Sequence, residues 1–180
     1  MDILFFRIQG GVDRQAPHTL PMALLGGLEI WSPSALKLKP AGLGWFPFCV
    51  WWLFHYVRIF RDRTYKIYLL RMDDKIVHRS CIFPAFFRFP IMRLDDLQVG
   101  DIWTVESERR LGLSLTVLIQ ILNDYQNRTI WFLCEATNTA SARLAKSAGM
   151  ELYGVGTRAS KFGFGVFGQF VVTQKMPIPS

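Results

Sequence analysis

An apolar segment at residues 43–60, LGWFPFCVWWLFHYVRIF, constrains the fold of this chain more than any other feature of its sequence. Its length approaches the roughly 20 residues that a membrane-spanning helix needs. Pro47 falls in its first turns, and His55, Arg58 and Asp62 follow the i, i+3, i+7 spacing that places one polar stripe on a helix. The segment therefore predicts a helix packed in a soluble core. A helix lying on an anionic membrane surface and a true span are the alternatives.

The charge distribution keeps the membrane-surface alternative open. Arg58, Arg61, Arg63 and Lys66 lie at or directly after the end of the apolar segment, and residues 1–90 hold 12 basic against 6 acidic side chains within a net charge of +7. This excess predicts an acidic ligand or an anionic surface near the N-terminal half. The pI is about 9.6, yet no helix-turn-helix, zinc-finger or RNA-reading motif is visible, so no nucleic-acid partner is predicted.

The cysteines indicate neither disulfides nor a metal site. Cys49, Cys81 and Cys134 are odd in number, far apart, and without the spacing of metal ligands. The N-terminal run MDILFFRIQGG is too short for a signal peptide and lacks a cleavage site. The sequence therefore predicts a metal-free protein in the cytoplasm, with the inner face of the membrane as the alternative location.

From residue 64 onward the pattern predicts an α/β chain with a mixed sheet. Apolar alternation and turn residues indicate a hairpin, a strand, a helix, a second strand, a second helix and a final hairpin. The predicted segments are 64–72 and 75–83, 96–105, 111–125, 128–136, 139–149, and 151–158 with 164–172.

The turn between the strand 96–105 and the following helix carries the motif with the clearest chemistry. It reads Arg109-Arg110-Leu111-Gly112-Leu113-Ser114, which fits (Q/R)-x-x-G-x-(G/A) with a small serine in the last place. Such a turn directs several backbone N–H groups to one point at the positive end of a helix, and Gly112 lets an anion approach the main chain closely. The motif predicts a diphosphate site.

A second motif follows at residues 138–150, NTASARLAKSAGM, on the predicted helix after the next strand. It resembles the N-x-x-(A/S)-x-x-L-x-x-x-x-G-(F/M) segment of the GNAT superfamily of acyl-CoA N-acetyltransferases, and TVESERRLGLS resembles that superfamily's strand and pyrophosphate loop. The resemblance covers roughly residues 65–172. The blocks FRDRTYKIYLL, KIVH and DLQVGDIWT are also similar to acetyltransferases found with bacterial surface-polysaccharide genes.

The resemblance implies a fold and a division of the chain. It implies an α/β fold with a mixed, mostly antiparallel central sheet, splayed at the acetyl-CoA cleft and flanked by helices. Residues 1–180 would form one GNAT-like domain, with an acetyl-CoA-binding core at 65–172. Residues 1–64 would be a variable substrate-side segment containing the aromatic helix 43–60.

The resemblance also implies how acetyl-CoA is held. Backbone amides of the 109–114 loop would bind the pyrophosphate, the strand before it would pair with the pantetheine arm, and the backbone near Thr104 and Val105 would polarise the acetyl carbonyl. The implied binding residues are Trp103, Thr104, Val105, Arg109, Arg110, Leu111, Gly112, Leu113, Ser114, Asn138 and Ser141.

Two positions depart from the family pattern. Ala145 stands where many members have a tyrosine that protonates the thiolate, and Gln98 stands where some have a glutamate base. His78 on the preceding strand is the first candidate to replace the base, because an imidazole titrates near neutral pH. Glu135 and Tyr153 are further candidates.

The resemblance implies an acetyl-CoA-dependent N-acetyltransferase that acts on a small-molecule amine by direct attack. An amino sugar on a nucleotide or lipid carrier, used in surface-polysaccharide biosynthesis, is the predicted acceptor. The alternative is a catalytically degenerate GNAT-fold module that binds acyl-CoA or contacts a membrane from one side. A homodimer is a further expectation.

Overall fold

The computed structural model describes residues 1–11, 27–161 and 164–176 of the chain. Within these ranges the chain forms one eight-stranded sheet and three α-helices. The strands are β1 (Asp2–Ile8), β2 (Leu28–Trp31), β3 (Lys66–Met72), β4 (Lys75–Pro84), β5 (Leu97–Thr104), β6 (Ile130–Glu135), β7 (Glu151–Lys161) and β8 (Phe164–Lys175). The helices are α1 (Phe48–Tyr56), α2 (Leu113–Asp124) and α3 (Thr139–Ser147), and a short 3-10 helix spans Glu106–Glu108.

The sheet is mixed and mostly antiparallel, as predicted. Its strand order is β2-β3-β4-β5-β6-β1-β7-β8, and every neighbouring pair is antiparallel except β5 and β6. The predicted hairpin forms from β3 and β4, with Asp73 and Asp74 in its turn at φ 48° and 61°. Positive φ at both turn residues matches the twist of the flanking strands, which explains why two aspartates serve there.

The N-terminal strand β1 occupies a central place in the sheet. It pairs antiparallel with β6 on one side and with β7 on the other. Phe5 and Phe6 are fully buried in it. No strand was predicted from the sequence for residues 1–60, so β1 and the edge strand β2 are additions to the prediction.

The predicted helix over residues 43–60 is wrong in its bounds, because only Phe48–Tyr56 is helical. The helix ends where Arg58 takes a left-handed conformation at φ 57°. Phe48 is buried against the sheet and His55 is buried beside the loop that follows the helix, whereas Leu53 is 48% exposed. Among the described residues, no helix combines the length and the apolar character that crossing a membrane requires.

Two apolar clusters cover the two faces of the sheet, because alternate strand residues point to opposite sides. One cluster packs α2 and α3 against the sheet and includes Tyr68 and Ile82. The other packs α1 against the opposite face and includes Ile67 and Cys81. This division places α2 and α3 together on one side, where their N-termini lie near the end of β5.

Candidate active site

The site begins where β5 and β6 separate. These parallel strands pair only from Leu97 to Val99 on β5. Beyond Val99, β5 keeps its pairing with β4 and has no strand partner on its other side among the described residues. The Val105 N–H donates to Val77 O at 2.9 Å. Since successive residues of a strand turn their backbone groups to opposite sides, the Thr104 N–H faces the open edge.

Two adjoining pockets lie at the carboxyl end of β5, with volumes of about 270 and 540 Å³. The smaller reaches the N-terminus of α2, and the larger extends along Ile102 and Trp103. Both pockets share the residues Thr104, Arg109, Arg110, Ser114, Ala140, Arg143 and Leu144.

The N-terminus of α2 opens into this space. Gly112 is its N-cap residue at φ 77°, with no side-chain capping bond and no acidic residue in the first turn. The first N–H groups of a helix have no acceptor within the helix, and the helix dipole makes this end positive. Apart from Gly112 and its two chain neighbours, no described residue has an atom within 4 Å of the position that a Cβ at residue 112 would take. An anion can therefore reach the main chain there.

Three arginines add positive charge to the pockets. Arg109 donates from Nε to Thr104 O at 3.3 Å, and its Nη1 lies 3.8 Å from Glu106 Oε1. Arg110 and Arg143 form no ion pair with any carboxylate in the described part of the chain. Their charge is therefore available to a ligand.

A bulge in β5 lies just below the pockets. Asp101 has φ 48°, and its carboxylate accepts two bonds from Arg79, at 2.9 Å from Nε and 3.0 Å from Nη2. The Arg79 guanidinium also lies over the Phe48 and Trp103 rings, 5.6 and 5.5 Å from their centroids. This contact joins α1 to the wall of the larger pocket.

His78 lies behind the pocket wall, with no exposed surface. Its Nδ1 is 2.7 Å from Thr104 Oγ1 and its Nε2 is 2.8 Å from Ser80 Oγ. Thr104 Oγ1 is in turn 2.9 Å from Ser114 Oγ. Burial, with a smaller contribution from Arg79, lowers the pKa of His78 to about 4. A neutral imidazole therefore connects two hydroxyl groups, and Thr104 continues the chain of hydrogen bonds to the pocket.

The structure brings most of the predicted coenzyme-binding residues into one place. Those lining one or both pockets are Trp103, Thr104, Arg109, Arg110, Gly112, Leu113, Ser114 and Ser141. Val105, Leu111 and Asn138 flank the pockets without lining them. Asn138 caps α3, because its Oδ1 accepts a bond from the Ser141 N–H at 3.0 Å.

The three predicted catalytic residues lie outside the pocket lining. His78 reaches it only through Thr104. Glu135 is exposed at the end of β6. Tyr153 packs its ring against Trp131, 5.0 Å between centroids, and below the Arg7 guanidinium at 4.7 Å. The catalytic role of each residue stays a prediction.

One set of pocket residues was not predicted from the sequence. Ala140, Arg143, Leu144 and Ser147 line the pockets from α3. Their spacing of i, i+3, i+4 and i+7 places them on one helix face. This spacing is visible in the sequence, and Ser141 of the same predicted helix was already assigned to the coenzyme, so the face could have been predicted.

No protein-family model and no curated protein matches the sequence. Among solved structures, a GNAT-family protein from Novosphingobium aromaticivorans matches with a TM-score of 0.55 and 16% identity over 86% of this chain. A GCN5-related N-acetyltransferase from Sphaerobacter thermophilus matches with a TM-score of 0.51 and 17% identity over 84%. The chain has the GNAT fold.

The GNAT fold predicted from the two motifs is thus confirmed. This chain spans 61% of the length of the first of these proteins and 48% of the second. Within the described ranges no cluster of three or more His, Cys, Asp or Glu side chains is arranged to hold a metal ion.

Proposed function

We propose that this protein is an acetyl-CoA-dependent N-acetyltransferase that acts on a small-molecule amine. The observation that carries the proposal is an open strand edge that leads to a helix N-terminus without a side-chain cap. Beyond Val99, β5 has no partner on its β6 side among the described residues, and Gly112 is the N-cap residue of α2. A coenzyme with a diphosphate at one end and an extended amide-bearing arm at the other matches this arrangement. The GNAT fold supports the same reading.

Different pocket residues bind different parts of the coenzyme. The amides at the start of α2 bind the diphosphate, while Arg110 and Arg143 neutralise its charge. The amide groups of the pantetheine arm pair with the open edge of β5, to which Thr104 contributes its N–H. The thioester then lies in the gap between β5 and β6, away from the arginines.

The reaction itself needs no covalent intermediate on the protein. The amine nitrogen forms a bond to the acetyl carbon, the carbon–sulfur bond breaks, and the thiolate leaves as coenzyme A after gaining a proton. The ammonium proton of the product goes to a base or to water. Backbone N–H groups at the gap stabilise the oxyanion, and the fixed position of the thioester lowers the entropic barrier.

We also propose the chemical class of the acceptor. An amino sugar carried on a nucleotide or a lipid, as in surface-polysaccharide biosynthesis, is the acceptor class that we propose. The 12 basic residues in positions 1–90 support a phosphate-bearing acceptor. Action in the cytoplasm, at the inner face of the membrane, is consistent with a lipid carrier. Homodimerisation remains part of this proposal.

A second function is favoured by two positions. Ala145 is fully buried in the core, so α3 offers no acidic side chain there. Gln98 is buried and donates from Nε2 to Val99 O at 3.0 Å. Without a replacement acid and base, the protein would be a module that binds acyl-CoA and transfers nothing.

A thiol-release assay with a panel of amines and amino sugars tests the proposal, together with calorimetric titration of coenzyme A. Gly112→Glu places a carboxylate at the diphosphate site, and the affinity should fall at least tenfold, about 1.4 kcal/mol. Gly11→Glu is the matched control. Gly11 has φ 79° and equally open space, but it lies outside both pockets.

The results separate the two functions. Thiol release that depends on an amine and is lost in Gly112→Glu supports the enzyme. Coenzyme binding without release from any amine supports the module. If coenzyme A does not bind, or if both glycine variants weaken binding alike, the site has been placed incorrectly.

A further inference from the structure

A third pocket, of about 440 Å³, lies at the C-terminal end of α1. The loop that follows α1 is held against the end of β4, because the Arg61 N–H donates to Ala85 O at 2.9 Å. The lining residues of the pocket are His55, Arg58, Phe60, Arg61, Asp62 and Arg63. We call it the α1 pocket.

The α1 pocket carries uncompensated positive charge. Its one carboxylate, Asp62, is already engaged: Arg128 Nη2 donates to Oδ2 at 2.7 Å, and the Thr64 N–H donates to Oδ1 at 2.7 Å. Arg58, Arg61 and Arg63 form no ion pair within the ranges that the structure describes. Three arginines therefore line one cavity without an ion-pair partner among the described residues.

His55 supplies an independent sign of a missing ligand. It lines the pocket, is only 8% exposed, and its Nδ1 is buried without a hydrogen-bond partner among the described residues. A buried nitrogen without a partner costs free energy. In the tautomer that carries the proton on Nδ1, His55 would donate to an anion held by the arginines.

We propose that the α1 pocket binds a phosphate group, as a monoester or a diester. Arginine guanidinium groups match phosphate oxygens in geometry and in charge, and a histidine N–H completes the set of donors. The volume leaves room for part of the group that the phosphate esterifies. The inference concerns binding and does not depend on acetyl transfer.

The α1 pocket is separate from the proposed coenzyme site. Ala85 follows the last residue of β4, whereas Thr104 pairs with His78 near the start of that strand. Seven residues of extended chain span roughly 23 Å. The two sites therefore lie toward opposite ends of the sheet and bind different phosphate groups.

The phosphate can come from a soluble ester or from a lipid headgroup. Leu53 and Tyr56, in the last turn of α1, are 48% and 38% exposed, and Val57 is 54% exposed. These apolar side chains would enter a bilayer if the phosphate belonged to a lipid. The same residues would be irrelevant to a soluble ester, so they distinguish the sources.

The test is a titration of the full chain with phenyl phosphate, followed through the ring nitrogen signals of His55. We expect saturable shifts at His55. His78, which is hydrogen-bonded to Thr104, reports separately on any phosphate bound in the coenzyme pocket. Arg61→Gln should weaken binding at least tenfold, and Arg63→Gln serves as a second variant. Lys75→Gln removes the same charge at an exposed position far from the pocket and should change the affinity less than twofold.

A second arm measures co-sedimentation with vesicles of phosphatidylglycerol and phosphatidylcholine, against phosphatidylcholine alone. Binding that requires phosphatidylglycerol, and that both Arg61→Gln and Leu53→Ser remove, assigns the phosphate to a lipid. A response to phenyl phosphate alone assigns it to a soluble ester.

The proposal is overturned if neither probe is more sensitive to Arg61→Gln than to Lys75→Gln. Gly112→Glu should leave the His55 response intact, so failure of the coenzyme site and failure of the α1 pocket give different results.

Discussion

At the scale of single residues, His78 shows how burial changes the role of a titratable group. The sequence favoured it as a base because an imidazole titrates near neutral pH. In the structure it is neutral, fully buried and bonded through both nitrogens. These contacts favour a positioning role, in which His78 orients the Thr104 hydroxyl and, through it, Ser114.

The lowered pKa of His78 predicts a specific pH dependence of stability. Its pKa is about 4 in the folded protein against 6.5 in the unfolded chain, so the unfolded chain binds more protons between these values. The contribution of His78 to the free energy of unfolding is therefore complete above pH 6.5 and is lost as the pH falls toward 4. The wild type should lose roughly 3 kcal/mol more than His78→Gln between pH 7 and pH 4.

Urea denaturation of both proteins at several pH values measures this difference. Titration of the carboxylates affects both proteins, so the comparison isolates His78. Parallel curves for the two proteins would show that the imidazole is not held neutral.

Arg143 is the pocket residue that gives the clearest test of charge. It lines both pockets and has no carboxylate partner in the described ranges, whereas Lys146, also exposed on α3, lines neither pocket. We expect Arg143→Gln to weaken coenzyme A binding about three- to tenfold at low salt, or roughly 0.6 to 1.4 kcal/mol. The loss should shrink at high salt because ions screen exposed charges.

Lys146→Gln is the control for Arg143→Gln, since it removes one positive charge from the same helix. Calorimetry at two salt concentrations decides between a specific and a general effect. Equal losses in the two variants would show that only the net charge of the helix attracts the coenzyme.

The residue scale also shows what a sequence can disclose about a site. The 109–114 loop was predicted because its spacing is local: a strand, a turn with Gly112 and a helix follow one another in the chain. The environment of His78 depends on contacts between distant segments, such as the hydrogen bond between His78 and Thr104. No local pattern contains that information.

At the scale of elements, β1 is the largest difference from the prediction. Its sequence DILFFRI has the apolar run of a buried strand, but this local sequence does not indicate which strands β1 pairs with. It lies between β6 and β7, more than 120 residues away in sequence. Consecutive side chains of a strand point to opposite faces of the sheet, so the full burial of both Phe5 and Phe6 shows that β1 is covered on both faces. This burial explains why both positions are apolar.

The central place of β1 predicts a large effect of a core truncation there. Phe6 is fully buried and packs its ring edge-on against Phe132 of β6, 6.4 Å between centroids. Phe6→Ala should lower the free energy of unfolding by about 3 to 5 kcal/mol. Phe87→Ala is the control, because Phe87 is 36% exposed and less of its ring is removed from water.

Chemical denaturation of both alanine variants provides the measurement. If Phe6→Ala costs no more than Phe87→Ala, the N-terminal strand does not lie in the middle of the sheet.

Helix α1 illustrates why bounds are harder to predict than the presence of an element. The run from Leu43 to Phe60 is apolar except at His55 and Arg58, and nothing in it forces an end at Tyr56. The helix stops because the chain turns at Arg58, where its left-handed conformation directs Arg61 toward the end of β4. A contact with β4 therefore decides the length of α1.

At the scale of the whole molecule, the sheet consists of two parts that meet at a short seam. Strands β2 to β5 form one antiparallel part, and β6, β1, β7 and β8 form the other. Three residue pairs of β5 and β6 join them, from Leu97 to Val99 on β5. The sequence predicted a splayed mixed sheet through the family resemblance, whereas the register that sets the length of the seam came only from the structure.

The short seam predicts a contrast between two adjacent amides in hydrogen exchange. The Val105 N–H is bonded to Val77 O at 2.9 Å, whereas the Thr104 N–H faces the open edge. Without ligand, the Thr104 amide should therefore exchange at least tenfold faster than the Val105 amide, because protection follows backbone hydrogen bonding. Coenzyme A should slow the exchange of the Thr104 amide by pairing with the open edge of β5, and it should leave the exchange of the Val105 amide unchanged. In the Gly112→Glu variant, coenzyme A should not change the exchange of the Thr104 amide. Equal protection of the two amides before ligand is added would show that the gap between the two parts of the sheet is closed in solution.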